Sequence, residues 1–103
     1  LFVEFIVNVY TIRFVAIEFD PSKDAINKRK HRISLARTEE FDFDSALYTV
    51  DDREDYGEIR YRAIGFIEAH IYALVFTQED ETIRAISLRK ATKHEQKEYR
   101  EAR

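Results

Sequence analysis

Residues 71–77, IYALVFT, restrict the fold more than any other stretch of the chain. They carry no charge and are rich in β-branched and aromatic side chains. A run this short and this apolar suits a strand covered on both faces. Such a strand needs a neighbour on each edge, and the flanking sequence supplies candidates. Upstream, Ile59–Ile67 alternates, with Arg60, Arg62 and Ile64 on one face and Ile59, Tyr61 and Ala63 on the other. Downstream, the polar segment Gln78–Glu81 reads as a hairpin loop and Thr82–Leu88 as the next strand. A shorter strand is expected at Ala46–Val50, joined to Ile59 through the acidic segment Asp51–Gly57.

The first 19 residues are also apolar, and Arg13–Phe19 favours a strand. Glu4, Asn8 and Arg13 interrupt the run, which falls short of the roughly 20 apolar residues that span a bilayer. Neither a basic start nor a small-residue cleavage site marks a signal peptide. Residues 1–11 read equally well as a further strand, a helix or an upstream extension. Residues 1–12 are therefore set apart from a single domain over residues 13–103.

Asp20-Pro21 opens a helix, because Asp accepts hydrogen bonds from exposed amides and Pro at the first helical position loses none. That helix should run to about Lys30. Ser34 can cap a second short helix through Phe41, with Leu35 and Phe41 buried. At the other end, Thr92 and Glu95 have the spacing of a capping box that starts a charged C-terminal helix. The order β-α-α-β-β-β-α predicts an α+β fold with helices packed on one mostly antiparallel sheet.

Composition narrows the chemistry. At 103 residues there is material for one modest core. No cysteine is present, which removes thiolate nucleophiles and zinc–cysteine clusters and fits a reducing cytoplasm. His31, His70 and His94 match no familiar metal spacing, and no cofactor is expected. The net charge of −3 argues against generic nucleic-acid binding, but the charge is segregated. Lys23–Arg37 holds six bases and one acid, Glu39–Glu58 nine acids and one base, and Arg84–Arg103 seven bases and three acids. A basic and an acidic face can result, although ordinary solvated helix faces would give the same counts.

Asp51, Asp52 and Asp55 lack the ligand order of a calcium loop and read as a solvated segment. The basic residues offer more. Metal-free RNA cleavage needs a base for the ribose hydroxyl, an acid for the leaving oxygen and cations for the phosphate. Arg60, Arg84 and Arg89 lie on strands or at a strand end, and Arg binds phosphate oxygens in pairs. His31 titrates near neutral pH. Each of these residues would equally serve as a surface charge, a carboxylate partner or a helix cap. Arg84 and Arg89 are separated by an odd number, so a regular strand points them to opposite faces unless a bulge intervenes.

An ordered set of motifs resembles the BrnT-like toxin family. It comprises Asp20-Pro21-x-Lys23, Asn27, Lys30-His31 and Ser34, then Phe41, Asp44 and Asp52-Arg53-x-Asp55-x-Gly57-Glu58-x-Arg60, then Gly65. It closes with Thr77, Ile83-Arg84-x-Ile86-Ser87-x-Arg89-Lys90-Ala91-Thr92, Glu95 and Tyr99. Together they span residues 14–103. Phe19 stands where the family has Trp, Leu35 where Phe is common, Leu88 where Ala is usual and Arg32 where Gly is common. The last departure predicts a different turn after the first helix. The resemblance implies a RelE-like fold and an endoribonuclease that arrests growth. It also implies a BrnA-like ribbon-helix-helix antitoxin as partner, with DNA contacted only through that antitoxin. On this reading Lys30, His31, Arg60, Arg84, Arg89 and Glu95 form the active cluster, with Tyr99 as a further candidate. His31 or Glu95 would be the base, Lys30 or protonated His31 the acid, and the arginines would hold the phosphate. Two other readings stay open: a degenerate toxin that acts only as a co-repressor with its antitoxin, and a plain structural domain.

Overall fold

The computed structural model describes residues 2–8 and 11–102, and side chains from Ala16 onward. Its strands are β1 (Phe2–Asn8), β2 (Thr11–Glu18), β3 (Leu47–Asp51), β4 (Arg60–Ile67), β5 (His70–Glu79) and β6 (Thr82–Lys90). They form one sheet in the order β1-β2-β6-β5-β4-β3. Every pairing is antiparallel except β2 with β6, which is parallel. The run at 71–77 is therefore interior, between β4 and β6, as its apolar character requires.

Two helices and a 3₁₀ turn complete the α+β fold: α1 (Pro21–His31), a 3₁₀ helix at Leu35–Glu40 and α2 (Lys93–Glu101). Three expectations are refined. Residues 2–8 are a strand and four strands rather than three follow the second helix, so the element order is β-β-α-α-β-β-β-β-α. The second helix is 3₁₀, a single six-residue piece between the Ser34 cap and Phe41, whose ring is buried. The loop expected at Gln78–Glu81 shrinks to a turn at Asp80-Glu81, with Asp80 left-handed at φ 53°.

Arg32 corrects the expectation of an altered turn. It takes φ 61° and ψ 30° and donates its N–H to Lys28 O, the left-handed helix cap that glycine usually makes. The turn is kept despite the side chain.

The sheet is covered differently on its two faces. On one, Leu35, Phe41 and Phe43 pack with Leu74, Phe76, Ile83, Ala85 and Leu88. On the other, Tyr99 of α2 packs with Ile64, Ile71 and Ala91 over one end of the sheet only. Gly65 lets the first layer close, because a Cβ there would meet the Phe41 ring at 2.9 Å and Ala46 at 3.1 Å. The uncovered remainder of the second face carries the arginines.

Candidate active site

Strand register decides which arginines share a face. Thr77 pairs with Arg84, Val75 with Ser87 and Ala73 with Arg89. Opposed residues of an antiparallel pair point the same way, and Thr77, Val75 and Ala73 alternate along β5. The odd spacing of Arg84 and Arg89 is absorbed between Val75↔Ser87 and Phe76↔Ala85, where Ile86 is the extra residue of a bulge. Arg84 and Arg89 thus share a face. Arg62 pairs with Val75 and Arg60 lies two residues before it, so both join that face. From Thr77 to Ala73 the strand rises about 14 Å, which separates Arg84 from Arg89 along the sheet.

The arginines divide into two groups. Arg60 and Arg84 lie level with Thr77 on either side of β5. Arg60 pairs with Glu58 at 3.1 Å and stacks on the Tyr56 ring at 4.0 Å. Arg84, half-exposed, has Glu18 at 3.7 Å. At the other end, Arg89 and Arg62 converge on Glu95. Arg89 Nη1 donates to Oε1 at 2.7 Å and Nη2 to Oε2 at 3.0 Å, while Arg62 Nη1 reaches Oε2 at 3.2 Å. The Thr92 N–H donates to Oε1 at 2.9 Å and Glu95 N–H to Thr92 Oγ1 at 3.1 Å, which completes the expected capping box.

Glu95 is only 5% exposed. Burial pushes its carboxyl pKa up, but the hydrogen bonds from Arg89 and Thr92 and the charges of Arg89 and Arg62 outweigh it and hold it at about 2. A carboxylate so saturated is a poor proton acceptor near neutral pH. Its geometry is that of a clamp on two guanidinium groups. Tyr99 is 2% exposed, meets the Phe66 ring edge-on at 5.6 Å and donates to Ser45 O at 3.1 Å. It anchors α2 to the sheet.

His31 and Lys30 end α1, which lies against β6. His31 and Arg89 line one cleft with Arg37, Tyr72 and Lys90. On its other side, His31 and Lys30 border Ile86 and Ser87, the bulge and its successor. Burial lowers the His31 pKa, and the positive charges of Arg89 and Lys30 lower it further. The shift favours the neutral imidazole, the form that can accept a proton. Of the residues singled out from the sequence, Arg89 and Glu95 are bonded at one end of the strip, His31 shares a cleft with Arg89, Lys30 borders only the adjoining cleft, Arg60 and Arg84 lie at the other end, and Tyr99 lies beneath α2. Sequence reasoning omitted Arg62, although its alternation with Arg60 marked it for the same face. In the acidic segment, Asp51 accepts from Arg53 at 2.7 and 2.8 Å and from Tyr56 at 3.4 Å. Among the described residues no three acidic or histidine side chains gather as a metal site needs.

Comparison with known proteins agrees with this architecture. Residues 19–95 match the family described as ribonuclease toxin, BrnT, of type II toxin-antitoxin system. The chain belongs to the BrnT family. The 1.1 Å crystal structure of the Brucella abortus ribonuclease toxin BrnT is similar at 28% identity and a TM-score of 0.59. The match covers 77% of this chain and 99% of that one. No curated protein matches. The BrnT match runs from Phe19, just after β2, to Glu95 in the first turn of α2, and so contains both groups of arginines. As a BrnT toxin of a type II system, the protein has a cognate antitoxin as partner. No helix among the described residues is long and apolar enough to cross a membrane.

Proposed function

We propose that this BrnT protein is a metal-independent endoribonuclease that arrests growth in the cytoplasm and is neutralised by a BrnA-like ribbon-helix-helix antitoxin, which alone contacts DNA. The observation that carries the proposal is His31, depressed in pKa, lining one cleft with Arg89 at the end of an arginine strip. His31 takes the proton of the ribose 2′-hydroxyl. The oxygen then attacks the adjacent phosphorus, and the 5′ oxygen leaves with a proton from Lys30. Arg89 stabilises the charge that builds on the phosphate. Arg60 and Arg84, about 14 Å further along the sheet, hold a neighbouring part of the RNA backbone. Glu95 positions Arg89 and Arg62. Tyr99 acts through α2 packing.

The test is induction of the chain alone and together with the product of the neighbouring antitoxin gene, with growth and RNA integrity followed. Purified protein is then assayed for RNA cleavage with EDTA present. Cleavage that survives EDTA and disappears with Arg89→Ala supports the proposal; cleavage abolished by EDTA sinks metal independence. One observation favours a second reading, a degenerate toxin that serves only as co-repressor. Arg60, Arg62, Arg84 and Arg89 each already have a carboxylate partner. On that reading the protein binds its antitoxin and leaves RNA intact.

A further inference from the structure

Asn27 stands out because a buried polar side chain joins segments 61 residues apart in the chain. It is 3% exposed, on the face of α1 turned toward the sheet. Its Nδ2 donates to Leu88 O at 2.8 Å and to Ile33 O at 2.9 Å, and its Oδ1 accepts from Leu88 N–H at 3.0 Å. The two bonds to Leu88 reproduce what a neighbouring strand would make. They fall where a strand is missing: β2 pairs with β6 only at Thr82, Ile83 and Arg84. Beyond that point the β6 edge has backbone groups that must find partners, and the Asn27 carboxamide supplies both for Leu88.

The placement bears on the catalytic end of the strip. Leu88 immediately precedes Arg89. Asn27 precedes His31 by four residues, which is one helical turn on the same face. The amide therefore fixes the distance between the element carrying His31 and the strand carrying Arg89. We propose that Asn27 is a positioning residue of the BrnT site, whose carboxamide replaces the missing strand at the β6 edge and thereby holds His31 beside Arg89. The catalytic meaning of that contact rests on the ribonuclease reading above; the clamp itself does not. No other contact between α1 and β6 has this two-point geometry among the described hydrogen bonds. Asp24, one turn earlier, ties α1 to the 3₁₀ helix instead, accepting from Leu35 N–H at 2.8 Å and Ser34 Oγ at 3.0 Å.

His31 itself reports on the clamp. Lys30 on its own helix and Arg32 and Arg37 after it bring positive charge to its surroundings, as do Arg89 and Lys90 from β6. Lys23 borders its other side, and Tyr72 of β5 lines the cleft. Moving α1 away from β6 hydrates the imidazole and distances it from Arg89, so its titration midpoint rises toward the ordinary 6.5.

The experiment follows the His31 ring protons by NMR through a pH titration of the whole chain. It compares the wild type with Asn27→Ala, Asn27→Gln and Asp24→Asn. The glutamine variant keeps donor and acceptor but is one methylene longer, so it retains more stability while displacing the helix. Both Asn27 variants should shift the His31 midpoint upward and slow RNA cleavage roughly a hundredfold, the cost of misplacing a catalytic group by about an ångström. Asp24→Asn should lower the melting temperature and leave the midpoint in place. In the wild type the Leu88 amide should exchange with solvent only through global unfolding. An unmoved midpoint in a folded Asn27 variant, an equal shift in Asp24→Asn, or rapid Leu88 exchange in the wild type each overturns the clamp. If the midpoint shifts as expected but the wild type cuts no RNA, the ribonuclease reading falls and the clamp stands.

Discussion

Arg89 grips Glu95 with both guanidinium Nη atoms, at 2.7 and 3.0 Å, while the same carboxylate accepts the Thr92 N–H at 2.9 Å. The side chain that starts α2 is therefore also the one that orients the arginine next to His31. Capping and site geometry depend on a single buried carboxylate.

Glu95 should couple stability to acid. Its folded pKa of about 2 lies below the ordinary 4.5. The unfolded chain thus binds more protons in between. The stabilisation is complete above 4.5 and is lost as pH falls toward about 2. Glu95→Gln removes the charge and leaves two guanidinium groups facing a neutral amide. It should cost about 3 kcal/mol at pH 7 and flatten the acid slope of stability. Urea denaturation at pH 7, 4 and 3 checks both.

Arg84 and Arg89 should separate when truncated. Half-exposed and loosely paired, Arg84→Ala should change stability by less than about 1 kcal/mol. Arg89→Ala removes two charge-assisted bonds from the buried Glu95 carboxylate and leaves it only Arg62 and the Thr92 N–H, so it should cost about 2 kcal/mol. Both should slow RNA cleavage by roughly a hundredfold or more. Thermal melts alongside a cleavage assay distinguish the pair, and equal melting temperatures would contradict the assigned environment of Arg89.

His31 as base requires its neutral form. Cleavage should therefore be lost on the acid side, with the limb lying below 6.5 because burial, Arg89 and Lys30 depress the imidazole. The pH profile of kcat/KM reports this pKa in the free protein. In His31→Gln the acid limb should vanish along with most of the rate; a limb that persists assigns the titration to another group.

Arg32 holds a left-handed conformation at φ 61° with an exposed side chain. Arg32→Gly should relieve strain of about 1 kcal/mol and raise the melting temperature. A fall in melting temperature would show that the arginine side chain makes up for its backbone.

Gly65 should resist enlargement. In Gly65→Ala the new Cβ meets the Phe41 ring at 2.9 Å and Asp42 O at 3.3 Å, in a layer that the Asp42 N–H bond to Phe66 O holds close. The expected cost is about 1 to 3 kcal/mol, read from chemical denaturation.

The amino-acid sequence by itself determined the features whose causes are local. Asp20-Pro21 started α1, and the Thr92/Glu95 spacing started α2. The apolar run at 71–77 became the interior strand, and the alternation of Arg60 and Arg62 put both on one face. Caps and periodicities act over a few residues, so they can be read along the chain. Tertiary structure decided the rest. Whether Arg84 and Arg89 share a face depended on the Ile86 bulge, which exists only in the pairing of β5 with β6. Glu95 read as a possible base until folding brought Arg62 and Arg89 onto it from two strands. Asn27 was a motif residue without a role until α1 met the open edge of β6, because the groups it satisfies belong to Leu88, a residue distant in sequence and adjacent only once the sheet has formed.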